Sequence, residues 1–345
     1  MQKRFKTIGI SAALLAVVSI TLIGCGPTED PEPELPIPDP PDSTTHVPKV
    51  VTPKFNQDSA YKFVEEQVAF GPRVPNTPEH DSCAKYLAKK LKSYGAHVIV
   101  QEGEMKAYTG KQLKIQNIIA QYNKESKDRI MFCAHWDSRH MADRDPENKS
   151  GAIDGANDGA SGVGVLLEMA RQMSMQNPKK GVDLILFDAE DYGEPQLAPG
   201  IMQLSSLDDT WCLGSQYWAM NPPIAGYKPK YGILLDMVGA SDAVFPKEGF
   251  SFQYAGGYLQ AVWDKAQSLG YGSYFINYQI GGITDDHKYV NEMAGIPTID
   301  IIHYRPNESD FGSFHHTHAD KMDIIDAKTL GVVGHVCLEI IYQGL

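Results

Sequence analysis

The sequence predicts an α/β fold, a three-layer α/β/α sandwich built on a mixed, mostly parallel central sheet, and three observations predict it. Strand-like and helix-like segments alternate along the chain. The runs at 183–187 (Asp-Leu-Ile-Leu-Phe) and 233–235 (Ile-Leu-Leu) are apolar at consecutive positions. A strand with one wet face alternates polar and apolar residues, so an unbroken apolar strand is one covered on both faces, as in a parallel sheet between helix layers. Acidic and imidazole side chains also cluster directly after these runs, and in open α/β sheets ligands bind beyond the carboxyl ends of the strands.

The chain opens with the basic residues Lys3, Arg4 and Lys6, then an apolar run over 8–23 that ends in Leu22-Ile23-Gly24-Cys25. That run falls short of the ~20 residues a membrane-spanning helix needs and has the basic flank and small-residue exit of a signal peptide. Residues 1–24 are therefore expected to be a lipoprotein signal peptide, with Cys25 as the lipidated N-terminus that anchors the chain to a membrane. An exported lipoprotein on the periplasmic side of the cell envelope, held by the inner or the outer membrane, is the expected location. Residues 25–53 are rich in Pro, Asp, Glu and Thr and poor in apolar side chains. They bury too little surface to offset their ordering entropy, and a disordered tether is expected. Residues 54–345 are long enough for a single domain with a sizeable core.

Formal net charge is −12, and it becomes more negative once Lys3, Arg4 and Lys6 leave with the leader. Such a surface repels polyanions, which excludes nucleic acid as a partner. Apart from Cys25, the cysteines Cys83, Cys133, Cys212 and Cys337 lack paired metal-type spacing, and both disulfide pairing and core packing stay open for them.

Apolar residues at helical spacing predict helices over 58–68 and 79–94, the second stopped by Gly95. Strands are predicted at 98–101, 115–122 and 130–134, followed by a polar loop to Gly159 and a helix over 161–172. The alternation continues with a strand at 183–187, a helix at 214–220, a strand at 231–237, a helix at 258–269 and a strand at 298–302. A helix over 327–342 closes the chain.

The polar clusters follow these elements in order. His135-Trp136-Asp137-Ser138 comes after 130–134, Asn157-Asp158-Gly159-Ala160-Ser161-Gly162 after the loop, Asp188-Ala189-Glu190-Asp191 after 183–187, and Asp236 after 231–235. Downstream lie Thr284-Asp285-Asp286-His287 and Phe314-His315-His316-Thr317-His318-Ala319-Asp320. Singly, an Asp after a strand is usually a turn or a helix cap. Gathered on one sheet edge, these groups would repel one another strongly without a cation, and nitrogen and oxygen donors without thiolate suit a catalytic zinc with an open coordination position.

The ordered set HWDS, NDGASG, FDAED, LLD, DDH and HHTHAD resembles the zinc exopeptidase superfamily, which contains bacterial aminopeptidases and glutaminyl cyclases. Phe70-Gly71-Pro72-Arg73-Val74-Pro75 and Trp211-Cys212-Leu213-Gly214-Ser215 add to the likeness. The resemblance implies that Asp158, Asp191 and His316 bind one zinc ion per chain and that Glu190 is the general acid/base. Many relatives carry Glu where this chain has Asp191, one methylene shorter. The two-zinc aminopeptidases use five ligands, and His135, Asp158, Asp191, Asp236 and His316 match all five by type.

Position 285 separates the two branches, because aminopeptidases usually read Ser-Asp-His where this chain reads Asp285-Asp286-His287, and an Asp in the first place resembles the cyclases. In that branch Asp236 and Asp285 would share a proton beside Glu190 and hold the substrate amine. His135, Asp286 and His287 are then second-metal or supporting positions. Trp136, Trp211, Phe314 and His315 are expected to line the substrate pocket, with His315 standing where animal cyclases have Trp.

The resemblance thus implies a bacterial-type glutaminyl-peptide cyclotransferase, a monomer acting on N-terminal Gln of peptides and proteins, with 54–345 as its zinc-dependent catalytic domain. A dizinc aminopeptidase is the alternative reading. A lipoprotein that keeps the fold only to bind peptides is another.

Overall fold

In chain order the described elements are α1 (Gln57–Val68), α2 (Pro78–Ser93), β1 (His97–Lys106), β2 (Gln112–Tyr122), β3 (Arg129–His135), α3 (Ala160–Met175), β4 (Gly181–Phe187) and α4 (Leu213–Met220). They continue with β5 (Gly232–Asp236), β6 (Phe245–Lys247), α5 (Gly249–Ser268), β7 (Phe275–Gln279), α6 (Asp286–Glu292), β8 (Thr298–Ile302) and α7 (Ala327–Gln343). The computed structural model describes residues 50–195, 210–308 and 310–345. The expected signal peptide, the lipidation site at Cys25, the tether as far as residue 49 and most of the insertion over 194–210 lie outside the described residues. No helix among the described residues is long and apolar enough to cross a membrane.

The apolar runs form strands buried along their whole length: β3, β4, β5 and β8 expose no residue. The six-stranded sheet has the order β1-β2-β4-β3-β5-β8. Its four inner and right-hand strands β4, β3, β5 and β8 run parallel, while β2 is antiparallel to both β1 and β4. Alternate residues enter different cores because successive side chains point to opposite faces. Phe132, Leu184, Leu186, Ile233 and Leu235 pack with α1, α3 and α7; Met131, Cys133, Ile185, Phe187 and Leu234 pack with Trp218 of α4 and Val290 of α6. These are the two outer layers of the sandwich, and the predicted mixed, mostly parallel sheet is what forms.

Several boundaries differ from the sequence reading. Helix α5 begins at Gly249 and not at 258, because the Glu248 carboxylate accepts the N–H groups of Phe250 and Ser251 and caps it there. The two-stranded sheet of β6 and β7 and the short helix α6 were not expected. Residues 50–53 were assigned to the tether, yet Gln343 donates to Val50 and Thr52 and Gln176 donates to Val51. Those bonds tie the strand-like lead-in to the ends of α3 and α7. All four described cysteines are free and buried; Cys83, Cys133 and Cys337 pack as small apolar side chains in the cores, while Cys212 stands beside the acidic site.

One glycine fixes the approach of α3 to the sheet. A Cβ on Gly162 would lie 2.2 Å from the carbonyl oxygen of Leu235 and 2.9 Å from Cβ of Ala134. Only glycine lets the first turn of α3 rest on β3 and β5, and that contact places the residue just before the helix over the strand ends.

Candidate active site

The site lies at the carboxyl edge of the parallel strands. His135 ends β3, Asp236 ends β5, and the turn carrying Glu190 and Asp191 follows β4. Asp158 immediately precedes the cap of α3, Gly159, whose φ is +91°. A Cβ there would meet Asp137 oxygen at 2.6 Å and the His135 ring at 2.9 Å, so the loop passes His135 only because the residue is glycine. Carboxylates behind the site hold these loops in place. Asp320 accepts the N–H groups of Asn157 at 2.7 Å and Asp158 at 3.0 Å. Asp137 accepts those of Glu190 at 3.1 Å and Asp191 at 3.2 Å. Ala189 and His316 adopt left-handed backbone, with φ of +50° and +57°, a conformation non-glycine residues keep only where their surroundings over-determine it.

Asp158 sits between two imidazoles. Nε2 of His316 lies 3.9 Å from Asp158 Oδ2 and 3.3 Å from Asp191 Oδ1. Nε2 of His135 lies 3.0 Å from Asp158 Oδ1 and 3.2 Å from Asp236 Oδ1. Asp191 Oδ2 is buried with no hydrogen-bond partner, an expensive state for a carboxylate oxygen unless a cation takes it. The oxygen and imidazole donors and this orphaned atom fit a divalent ion of zinc's type.

Glu190 stands beside these groups. The thiol of Cys212 donates to its Oε1 at 3.2 Å, and atoms of Glu190, Cys212 and Asp285 all lie within 4.8 Å of one another. Burial raises the Glu190 carboxyl well above the usual range; His135 pulls it down, while Asp285, Asp191 and Asp286 push it further up. Asp236 is pushed up to about 7 by burial, against its hydrogen bond to His135. Burial opposes charge on Asp158 as well, but the His135 contact outweighs it and holds that carboxyl well below the ordinary value.

The structure adds a third acid beside Asp285 and changes the expected roles of Trp136 and Phe314. Asp236 is hydrogen-bonded to His135, and the further carboxyl beside Asp285 is Asp300 on β8, with atoms of Asp285, His287 and Asp300 all within 4.8 Å of one another and the Asp300 carboxyl raised well above the ordinary range by burial and by Asp285. Asp236 and Asp285 lie near enough for the charge of Asp285 to raise the Asp236 carboxyl, and Asp300 adds a third acid to this group. His287 bridges outward from these acids: its Nδ1 lies 3.8 Å from Asp300 Oδ2 and its Nε2 2.9 Å from Glu248 Oε2, which fits the supporting position expected for it. Trp136 is fully buried, stacks on His80 at 4.3 Å and donates to the Gln116 carbonyl at 3.2 Å; it packs in the core and lines no pocket. Phe314 is likewise buried and stacks on His303.

Two pocket candidates do reach the site. Trp211 stacks on His316 with centroids 5.7 Å apart and planes 6° apart. His315 lies beside His316, its Nδ1 2.7 Å from Arg144. Asp286 is buried under the site on α6. Asp300, Arg139, Asp143 and Glu248 went unnoticed in the sequence. Asp300 did leave a signal, since it interrupts the buried apolar run Ile299-Asp300-Ile301, where an acid is costly unless something answers it.

The sequence model of peptidase family M28 matches residues 117–341. The chain belongs to peptidase family M28. Among solved M28-like structures, the Bacteroides thetaiotaomicron glutaminyl cyclase bound to N-acetylhistamine is 50% identical with a TM-score of 0.81, covering 85% of this chain and 99% of that one. A leucine aminopeptidase precursor from the same organism is 49% identical with a TM-score of 0.79, covering 85% of this chain and 99% of that one. The glutaminyl-peptide cyclotransferase of Gloydius blomhoffii is 26% identical over 287 residues, 75% of this chain and 73% of the relative.

Proposed function

We propose that this M28 protein is a zinc-dependent glutaminyl-peptide cyclotransferase, which converts N-terminal Gln of peptides to pyroglutamate and releases ammonia. The observation that carries the reading is the pair of buried carboxyl groups, Glu190 and Asp285, whose atoms lie within 4.8 Å of each other. Cyclisation uses the substrate's own α-amine as nucleophile. That amine arrives as an ammonium, and two adjacent acidic groups suit both its binding and its deprotonation.

Asp158, Asp191 and His316 would hold the zinc, which when bound supplies a Lewis acid for the γ-carboxamide. The ammonium loses one proton to solvent on binding, and Glu190 takes a second from the neutral α-amine as it attacks, while Asp285 and Asp236 hold that group against the γ-carbon. The amine nitrogen forms the new C–N bond and closes a five-membered ring. Glu190 then returns the proton to the leaving nitrogen, which departs as ammonia. The buried setting keeps out the water that would otherwise compete.

A dizinc aminopeptidase is the second reading, favoured by Asp158 standing between His135 with Asp236 on one side and His316 on the other. Incubating the purified protein with H-Gln-Ala and H-Leu-Ala side by side, with zinc counted per chain, separates the two. Loss of ammonia from the Gln peptide with one zinc bound supports the cyclase; two zincs with free leucine released would replace it by the peptidase.

The leader over 1–24 and Cys25 support a further reading, that the enzyme is a lipoprotein held at the periplasmic face of a membrane, and we read it as a monomer. Labelling with a fatty-acid analogue that is lost in Cys25→Ala tests the anchor, and sedimentation tests the monomer.

A further inference from the structure

Arg139 has a fully buried side chain and spends its donors around the site. Its Nη1 donates to the main-chain oxygen of Asp191 at 3.0 Å and lies 3.4 Å from Asp191 Oδ1. Its Nε donates to Asp143. Asp143 in turn lies 3.3 Å from Nδ1 of His316. The guanidinium sits under Trp211, 4.5 Å from the ring centroid, and Trp211 stacks on His316. One cation thus touches Asp191 directly and reaches His316 by two routes, through Asp143 and through Trp211.

We propose that Arg139 and Asp143 form an outer clamp that sets the affinity of the zinc site. The inference rests on Asp191 and His316 being ligands, as read above. An imidazole binds metal through one nitrogen only if the other carries the proton, and a carboxylate on that other nitrogen fixes both tautomer and ring orientation. Asp143 on Nδ1 leaves Nε2 of His316 to face Asp158 and Asp191. Arg139 then locks Asp143 to Asp191, leaving Asp191 Oδ2, the orphaned oxygen, for the ion. A planar fork can serve acceptors on two residues at once, which an ammonium on a flexible stem does poorly. Without the guanidinium, two carboxylates would face each other across the site with no cation behind them. Arg139 and Asp143 are positioning residues, since neither need touch substrate.

The test is zinc affinity, measured by competition with a chromophoric chelator on the full chain and on Asp143→Asn, Arg139→Lys and Arg139→Met, alongside melting curves of the zinc-free forms. Asp143→Asn is expected to weaken zinc binding by about 10- to 100-fold, read at a temperature where the melting curve shows the zinc-free variant still folded. Arg139→Lys should recover part of what Arg139→Met loses. Parent-like zinc affinity in both Asp143→Asn and Arg139→Lys would overturn the clamp. If Arg139→Met does not fold, the isosteric Asp143→Asn still decides. Failure of the parent chain to bind zinc at all would overturn the functional reading and the clamp with it, whereas tight binding in the parent and in every variant overturns the clamp alone.

Discussion

The sulfur of Cys212 lies 3.2 Å from Oε1 of Glu190, and the main-chain N–H of the same cysteine donates to the Glu190 carbonyl at 2.9 Å. Two bonds from one residue hold the carboxyl and its backbone together, and φ of +56° at Cys212 makes the double contact. Replacing Cys212 by Ala removes the side-chain bond alone. A single neutral hydrogen bond is worth roughly 0.5–1.5 kcal/mol, so kcat on a Gln peptide should fall about 2- to 10-fold with KM nearly unchanged. Cys212→Ser should restore most of the rate. Equal rates in the Ala variant and the parent would show that Glu190 does not rely on the thiol.

Asp285 has atoms within 4.8 Å of both Asp300 and Glu190. If it holds the substrate amine, Asp285→Asn should lower kcat/KM by about 10²- to 10⁴-fold, the usual scale for a group that assists proton transfer. Zinc content should stay at the parent's value, because Asp285 is not among the three ligands. Loss of zinc together with activity would instead make Asp285 part of the metal site.

At the opposite edge of the sheet Arg129 and Asp183 form a bidentate pair, with Nε–Oδ2 and Nη2–Oδ1 both 2.7 Å, and Tyr227 donates to Asp183 at 2.8 Å. Asp183 is fully buried on β4. Asp183→Ala leaves the guanidinium without its partner and is expected to cost about 3–5 kcal/mol of stability, as breaking a buried pair does. Denaturant unfolding measures the loss. The kcat/KM of the folded fraction should not change, since these residues lie at the amino ends of β3 and β4, away from the chemistry.

Glu248 links pH to stability. Burial opposes its charge, but the bond to His287 and the N–H groups of Ser251 and Phe250 outweigh it and hold the carboxyl down to about 2 from an ordinary 4.5. The folded value is the lower one, so the unfolded chain binds more protons in acid. The stabilisation is present above about pH 4.5 and disappears as pH falls toward 2. It is on the order of 3 kcal/mol at 1.36 kcal/mol per unit. Thermal melting from pH 5 downward should show Tm falling more steeply for the parent than for Glu248→Gln, which starts lower but loses the titrating group. Parallel slopes would refute the assignment.

Much of this protein is legible in its residues. Unbroken apolar runs foretell a doubly covered sheet because a residue every 3.3 Å on alternating faces must find apolar company on both sides. Clusters such as NDGASG and DAED foretell the chemistry, since acids next to one another at strand ends have few inexpensive reasons to exist. What the tertiary structure alone decided is which distant groups meet. That Asp285 has Asp300 beside it as well as Asp236 nearby, that Trp136 turns into the core, and that Arg139 reaches both Asp191 and, through Asp143, His316 depend on the order of strands and the packing of α4 and α6. Spacing along a chain sets the period of a strand or helix, but a hydrogen bond between residues a hundred positions apart exists only once the layers have closed around it.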